Sequence, residues 1–247
     1  MEAVFEPNSY GFRPGRSCHD AIKQIKLCIQ NKAKYALDAD IAKCFDRINH
    51  EALLQKLNIN GKVRQQIKAW LKSGVIDKGA FTATSEGTPQ GGVISPLLAN
   101  IALHGMEERI KQEFPNMSHA GRETWFHKKG TSFRTPNVIR YADDFVILHE
   151  NKAVVQRCRE IISEWLAGIG LELKPEKTRL THTFNPELSE DGKAGFDFLG
   201  HYIRQYPAGI YRSNKTAEGK ILGFNTIITP SAKASKVHQE EIRRITF

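Results

Sequence analysis

Two adjacent carboxylates, Asp143 and Asp144, stand between apolar arms: Val138-Ile139-Arg140-Tyr141-Ala142 precedes them and Phe145-Val146-Ile147-Leu148 follows. Neighbouring acids in a β-rich stretch repel each other, and divalent cations can offset that repulsion. The pattern predicts a β-hairpin whose arms pair, whose turn falls at Ala142-Asp143-Asp144, and which holds both acids at its tip. Such a site needs a third carboxylate from elsewhere. Tyr35-Ala36-Leu37-Asp38-Ala39-Asp40-Ile41, a short strand-like alternation ending in acid, offers Asp40. On its own an Asp-Asp pair is equally at home in a solvated turn, so the reading depends on further segments.

Between the two acid sites lies Gly87-Thr88-Pro89-Gln90-Gly91-Gly92-Val93-Ile94-Ser95-Pro96, a stiff loop running straight into a helix. Other blocks flank these: Tyr10-Gly11-Phe12-Arg13-Pro14-Gly15-Arg16-Ser17 before, then Leu171-Glu172-Leu173-Lys174-Pro175-Glu176-Lys177-Thr178 and Phe198-Leu199-Gly200 after. With Asp38 to Asp46 and Tyr141-Ala142-Asp143-Asp144 they form six ordered blocks. In this order the chain resembles the reverse transcriptases of group II introns, retroelement enzymes that also act as maturases. The blocks cover most of residues 4 to 206.

The resemblance implies an α+β fold: the right-hand palm of polymerases, an antiparallel sheet backed by helices in a split βαββαβ order, with partial fingers. Fingers are expected near 1–34 and 52–90, palm near 35–51 and 91–206, and a basic segment at 207–247 leading toward a thumb. Measured against family members, the chain starts almost at the first block and stops near where the thumb would begin. The expectation for residues 1–247 alone is therefore RNA binding with little primer extension.

The implied activity is RNA-directed DNA synthesis, with an RNA template, a DNA or RNA primer, dNTPs and two Mg²⁺ ions, for which Mn²⁺ could substitute. By resemblance Asp40 and Asp143 hold the metals, the Ile41 carbonyl adds a ligand, and Asp144 is the third acid. Asp38 is read as a neighbour that raises local negative potential. Phe45 falls where the family places a bulky aromatic under the nucleotide sugar, a core residue being the alternative. Gln90 and Gly91 are expected to meet the incoming nucleotide, the glycines allowing close backbone approach. Lys177 lies near the triphosphate or is simply an exposed strand lysine. Arg13 and Arg16 are expected on template phosphates, since a guanidinium suits bidentate recognition, and Phe198, Leu199 and Gly200 resemble a primer grip. The resemblance leaves two further roles open: an RNA-binding maturase platform, and a folded copy with little activity.

The formal net charge of +9 with 40% apolar residues suits a cored domain with a polyanionic partner. The excess is uneven, residues 201–247 holding eight Lys or Arg against three Glu; a solvated tail or a phosphate contact would both account for it. The four cysteines, Cys18, Cys28, Cys44 and Cys158, lack metal-ligand spacing and read as reduced core residues. With no apolar run of membrane length and no signal-like start, a soluble, cytoplasmic, nucleic-acid-associated protein is expected.

The elements that must position these residues follow from periodicity and caps. Ser17 with Asp20 predicts a capped helix burying Ile22, Ile25 and Ile29. Helices are expected over His50–Leu57, over Lys62–Ser73 with Val63, Ile67, Trp70 and Leu71 inward and Gly74 as its stop, and over Lys152–Ala167. Ser95-Pro96 predicts the cap and first residue of one long helix reaching Ile110. Residues 115–137 read as a polar loop, and strands are expected near Leu171–Thr183 and Gly195–Arg204.

Overall fold

The computed structural model describes residues 4–73, 75–77, 80–82, 87, 94–114 and 135–246. Helix α1 (Cys18–Ile29) begins with a reciprocal cap: Ser17 Oγ accepts the Asp20 N–H at 3.3 Å and Asp20 Oδ2 accepts the Ser17 N–H at 2.8 Å. Two open donors are thus satisfied, and the expected isoleucine face is buried. Strand β1 (Tyr35–Asp40) ends on Asp40 as expected, followed by α2 (Cys44–Arg47), α3 (His50–Leu57) and α4 (Gly61–Lys72). Only the inner half of the apolar face expected on α4 meets the core: Ile67 and Leu71 are buried, whereas Val63 and Trp70 are 61% and 45% exposed. A short hairpin, β2 (Val75–Asp77) and β3 (Ala80–Thr82), comes next; Gly74 lies outside the described residues.

The long helix expected from Ser95 is two helices, α5 (Ser95–Leu103) and α6 (Met106–Glu113). Ser95 is already helical rather than the cap, and Pro96 sits in the first turn, where its missing N–H costs nothing. The chain turns at Gly105 with φ +98°. Glu6 stabilises the restart, its Oε1 accepting the N–H groups of Gly105, Glu107 and Glu108 at 3.1, 2.8 and 3.2 Å, a negative charge at the positive end of a helix. Most of the expected polar loop, residues 115–134, lies outside the described residues.

Strands β4 (Asn137–Tyr141) and β5 (Asp144–His149), helix α7 (Lys152–Ala167) and strand β6 (Arg179–His182) complete a β-α-β-β-α-β order. The sheet is antiparallel in the spatial order β4-β5-β1-β6. One face, with Leu37, Ala39, Phe145 and Ile147, packs with the helices that follow β1 and with α7. Ala36, Ile139, Val146 and Leu148 on the other face pack with α1 and with Phe196, Phe198 and Ile203. A strand covered on both sides buries both sets of side chains, which is why Phe145 to Leu148 reads as a continuous apolar run.

Both strands expected after α7 are interrupted. A 3-10 turn at Pro175–Lys177 cuts the first, and the Leu199-Gly200 turn splits the second into β7 (Phe196–Phe198) and β8 (His201–Pro207). The basic stretch from 207 onward contains strand β9 (Phe224–Pro230), paired with β8 along its whole length, and helix α8 (Ala232–Thr246). No described helix is long and apolar enough to cross a membrane.

Candidate catalytic site

Strand register brings the three acids together. Asp40 lies opposite Asp144 in the β1–β5 ladder. The turn between β4 and β5 is tighter than expected: Tyr141 pairs with Asp144, so the turn is Ala142-Asp143 and Asp144 already begins β5. Ala142 takes φ +57° to make it. The Asp143 carbonyl accepts the Ile41 N–H at 3.3 Å, tying the turn to the outlet of β1. Like charges opposed across a ladder are destabilising, and alternation adds Asp38 to the face of Asp40.

The local electrostatics record that crowding. Burial, with Asp40 and Asp143 adding to it, pushes the Asp144 carboxyl up to about 6. Asp143 is raised too, by burial first. Asp38 is pushed up to about 7 by burial and then by Asp144 and Asp197. Two ammonium groups offset part of the repulsion: Lys174 Nζ lies 3.5 Å from Asp40 Oδ2, and Lys177 Nζ contacts the same oxygen. Both arrive because the chain after α7 extends the β1 ladder, with Ala42 N–H on the Glu172 carbonyl and Lys174 N–H on the Asp40 carbonyl, each at 2.9 Å. Pro175 then forces the turn that returns Lys177 to the acid. Its bond to Asp40 raises the Lys177 pKa.

The donors are hard oxygens. The Ile41 carbonyl receives no hydrogen bond from the described residues, so it remains available as a ligand beside Asp40. Among the described residues no group of three or more His, Cys, Asp or Glu is arranged to hold an ion by itself. A set this open suits Mg²⁺, which keeps several waters and shares its sites with phosphate oxygens.

Beneath the turn lies a buried polar layer built around Arg140. Arg140 is 2% exposed; its guanidinium donates to Ser9 Oγ at 2.7 Å, to Asn100 Oδ1 at 3.1 Å and to the Ala142 carbonyl at 3.0 Å. Burial lowers its pKa to about 10, leaving it cationic behind Asp143. Asn100 Nδ2 donates to the Gly11 carbonyl at 2.9 Å, and Gly11 packs so closely that a Cβ there would lie 2.4 Å from the Ala142 nitrogen. The only sequence signal was an Arg inside an apolar strand.

Phe45, in α2, is half-buried and meets Phe12 edge to face with centroids 6.2 Å apart. The root of the glycine loop is fastened to the junction of α2 and α3: the Gly87 N–H donates to the Ile48 carbonyl at 2.9 Å and His50 Nε2 donates to the Gly87 carbonyl at 2.6 Å. Gln90 and Gly91 lie outside the described residues. Phe198, Leu199 and Gly200 line a groove of about 1470 Å³ that also reaches Asp40, Asp144 and Lys177. Leu199 and Gly200 both take positive φ, +48° and +77°, in the two-residue turn facing it. Arg13 departs from expectation. It is 7% exposed, donates to the Glu6 and Ser9 carbonyls at 2.7 and 2.8 Å and lies over the Phe5 ring; as placed it braces the N-terminal segment instead of offering itself to a phosphate. Arg16 is likewise engaged, on the Pro7 and Ser9 carbonyls and over Tyr10.

An antiparallel β-α-β-β-α-β sheet with acids gathered at the ends of its two central strands defines a polymerase palm. The family model for reverse transcriptase (RNA-dependent DNA polymerase) matches residues 1–225, and the chain belongs to that family. Protein YkfC of Escherichia coli is 34% identical over 228 residues, covering 82% of this chain and 56% of that protein. The group II intron-encoded protein LtrA of Lactococcus lactis is 31% identical over 294 residues, covering all of this chain and 46% of that protein. The chain thus spans about half the length of these relatives. Among solved structures, apo telomerase from Candida tropicalis, truncated from its C-terminal domain, is similar with a TM-score of 0.54 and 19% identity over 80% of this chain and 39% of that one. Telomerase from Candida albicans in complex with a fragment of telomeric RNA gives 0.54 and 15% over 87% and 35%. At these identities the likeness is one of fold, the right-hand fold of polymerases.

Proposed function

We propose that this reverse transcriptase domain extends a primer 3′-hydroxyl with dNTPs on an RNA template. The observation that carries the reading is Asp40 facing Asp144 across β1–β5, with Asp143 in the adjoining turn and the Ile41 carbonyl accepting no hydrogen bond from the described residues. Mg²⁺ ions, or Mn²⁺ in their place, bound by Asp40, Asp143, Asp144 and the Ile41 carbonyl would stabilise the attacking and leaving oxygens of the in-line displacement. The chain's own part is positional. The hydrogen-bonded ends of β1, β4 and β5 fix the carboxylates, and the groove bordered by Phe198-Leu199-Gly200 receives the primer end. Phe45 stands beneath the nucleotide sugar and opposes a 2′-hydroxyl, while Gln90 and Gly91 meet the nucleotide itself. Lys177, in contact with Asp40, would be available to a phosphate oxygen once cations neutralised that acid. The family and the charge of +9 support an RNA template and a primer as partners, and the similarity to a group II intron-encoded protein supports an intron RNA. The test is single-nucleotide addition to a DNA primer annealed to RNA. Extension by residues 1–247 should be low, Mg²⁺-dependent and removed by Asp143→Asn; extension undiminished in that variant would refute it.

A further inference from the structure

We propose that the excursion 208–223 between β8 and β9 is a docking platform for single-stranded RNA, distinct from the groove over the acids. Its backbone is fixed. Ser213 N–H donates to the Gly209 carbonyl at 2.9 Å, Leu222 N–H to the Asn214 carbonyl at 3.0 Å and Thr216 N–H to the Lys220 carbonyl at 2.9 Å. Asn225 pins this fold to β9, its Nδ2 donating to the Arg212 carbonyl at 2.7 Å and its Oδ1 accepting the Asn214 N–H at 2.8 Å.

On this frame Tyr211 is 100% exposed, beside Ile210 at 66%. The same excursion carries Arg212, Lys215 and Lys220, all exposed, and none is ion-paired with a described residue. Glu218 is the sole acid between residues 208 and 223. An aromatic face carried on a hydrogen-bonded loop offers a stacking surface for an unpaired base, and the cations of the same loop suit the phosphates of the flanking nucleotides. The charge complements a polyanion and would disfavour a basic or apolar protein partner.

The location separates it from catalysis. The β8–β9 ladder runs from Pro207 opposite Phe224, at the excursion, to His201 opposite Pro230, beside the groove. At about 3.4 Å per residue the two ends are about 20 Å apart, and no residue of 208–223 lines the groove. One RNA strand could therefore engage both. The choice of RNA rests on the reverse transcriptase reading; the surface itself does not.

The test is fluorescence anisotropy with a labelled unstructured RNA 20-mer, the same sequence as single-stranded DNA, and an RNA duplex; it needs no turnover. Tyr211→Ala should weaken the single-stranded RNA complex about five- to 150-fold, the range for one lost stacking contact, with an unchanged melting temperature, and Tyr211→Phe should retain it. Replacing Arg212, Lys215 and Lys220 by Gln should flatten its salt dependence. Single-nucleotide addition at saturating template should survive Tyr211→Ala, so failure of the platform and failure of the polymerase reading are seen separately. Unchanged RNA affinity in Tyr211→Ala would overturn the proposal. So would a loss confined to the DNA or the duplex, or a change in sedimentation that makes Tyr211 a self-association contact.

Discussion

At the scale of single residues, the acids are a cost to the metal-free fold. Asp38 and Asp144 have folded pKa values raised to about 7 and about 6, so the folded state holds more protons than the unfolded one between their ordinary range and those values. Their contribution to stability therefore falls as pH rises toward neutrality. Thermal melts without divalent cations should give a higher midpoint near pH 5.5 than near pH 7.5 from these two groups. Asp38→Asn should flatten that dependence and raise the midpoint at neutral pH, and a steeper fall in the variant would contradict the assignment. Phe45 offers a chemical test: Phe45→Ala should raise ribonucleotide incorporation relative to deoxyribonucleotide, because the ring no longer opposes the 2′-hydroxyl. Unchanged sugar discrimination in a folded variant would reduce Phe45 to a packing residue.

At the scale of elements, accuracy depends on what holds the acids from behind. Arg140 and Gly11 fix the Ala142-Asp143 turn through a hydroxyl, an amide and two carbonyls. Arg140→Met should destabilise the fold by on the order of 3 kcal/mol in urea, since buried acceptors left without donors cost about 1–3 kcal/mol each; Arg140→Lys should recover part of it. Gly11→Ala must push a Cβ into the Ala142 backbone, and small misplacements of reacting groups can cost about a hundredfold in rate. Nucleotide addition should drop on that order in Gly11→Ala with RNA affinity retained; a parallel loss of both would mean general unfolding. Caps and periodicity made α1, α3 and α7 legible, and the position of Asp40 at the end of β1 with them. The break between α5 and α6 was not legible, because Gly105 alone is tolerated in a helix and the carboxylate that restarts the chain, Glu6, comes from about a hundred residues away. Arg140 was hidden for the same reason: its partners are Ser9, Asn100 and Ala142, and only the fold assembles them.

At the scale of the whole molecule, the excess positive charge predicts RNA binding that weakens steeply between about 50 and 200 mM salt, as released counterions require when several phosphates are neutralised; a flat dependence in an anisotropy titration would remove the polyanion argument. Block order made the palm readable from sequence. The C-terminal region was readable only as charge, since β9 has no strong alternation and gains its place by pairing with β8. The central claim is that Asp40, Asp143 and Asp144 act as one site for nucleotide transfer. Single-nucleotide extension of a DNA primer on RNA, run beside RNA-binding titrations for the parent chain and Asp143→Asn, tests it most directly. Addition by the parent should be low but Mg²⁺-dependent, should be lost in the variant, and RNA affinity should be unchanged between the two. Addition that persists in Asp143→Asn, or a variant that loses RNA binding together with addition, would contradict it.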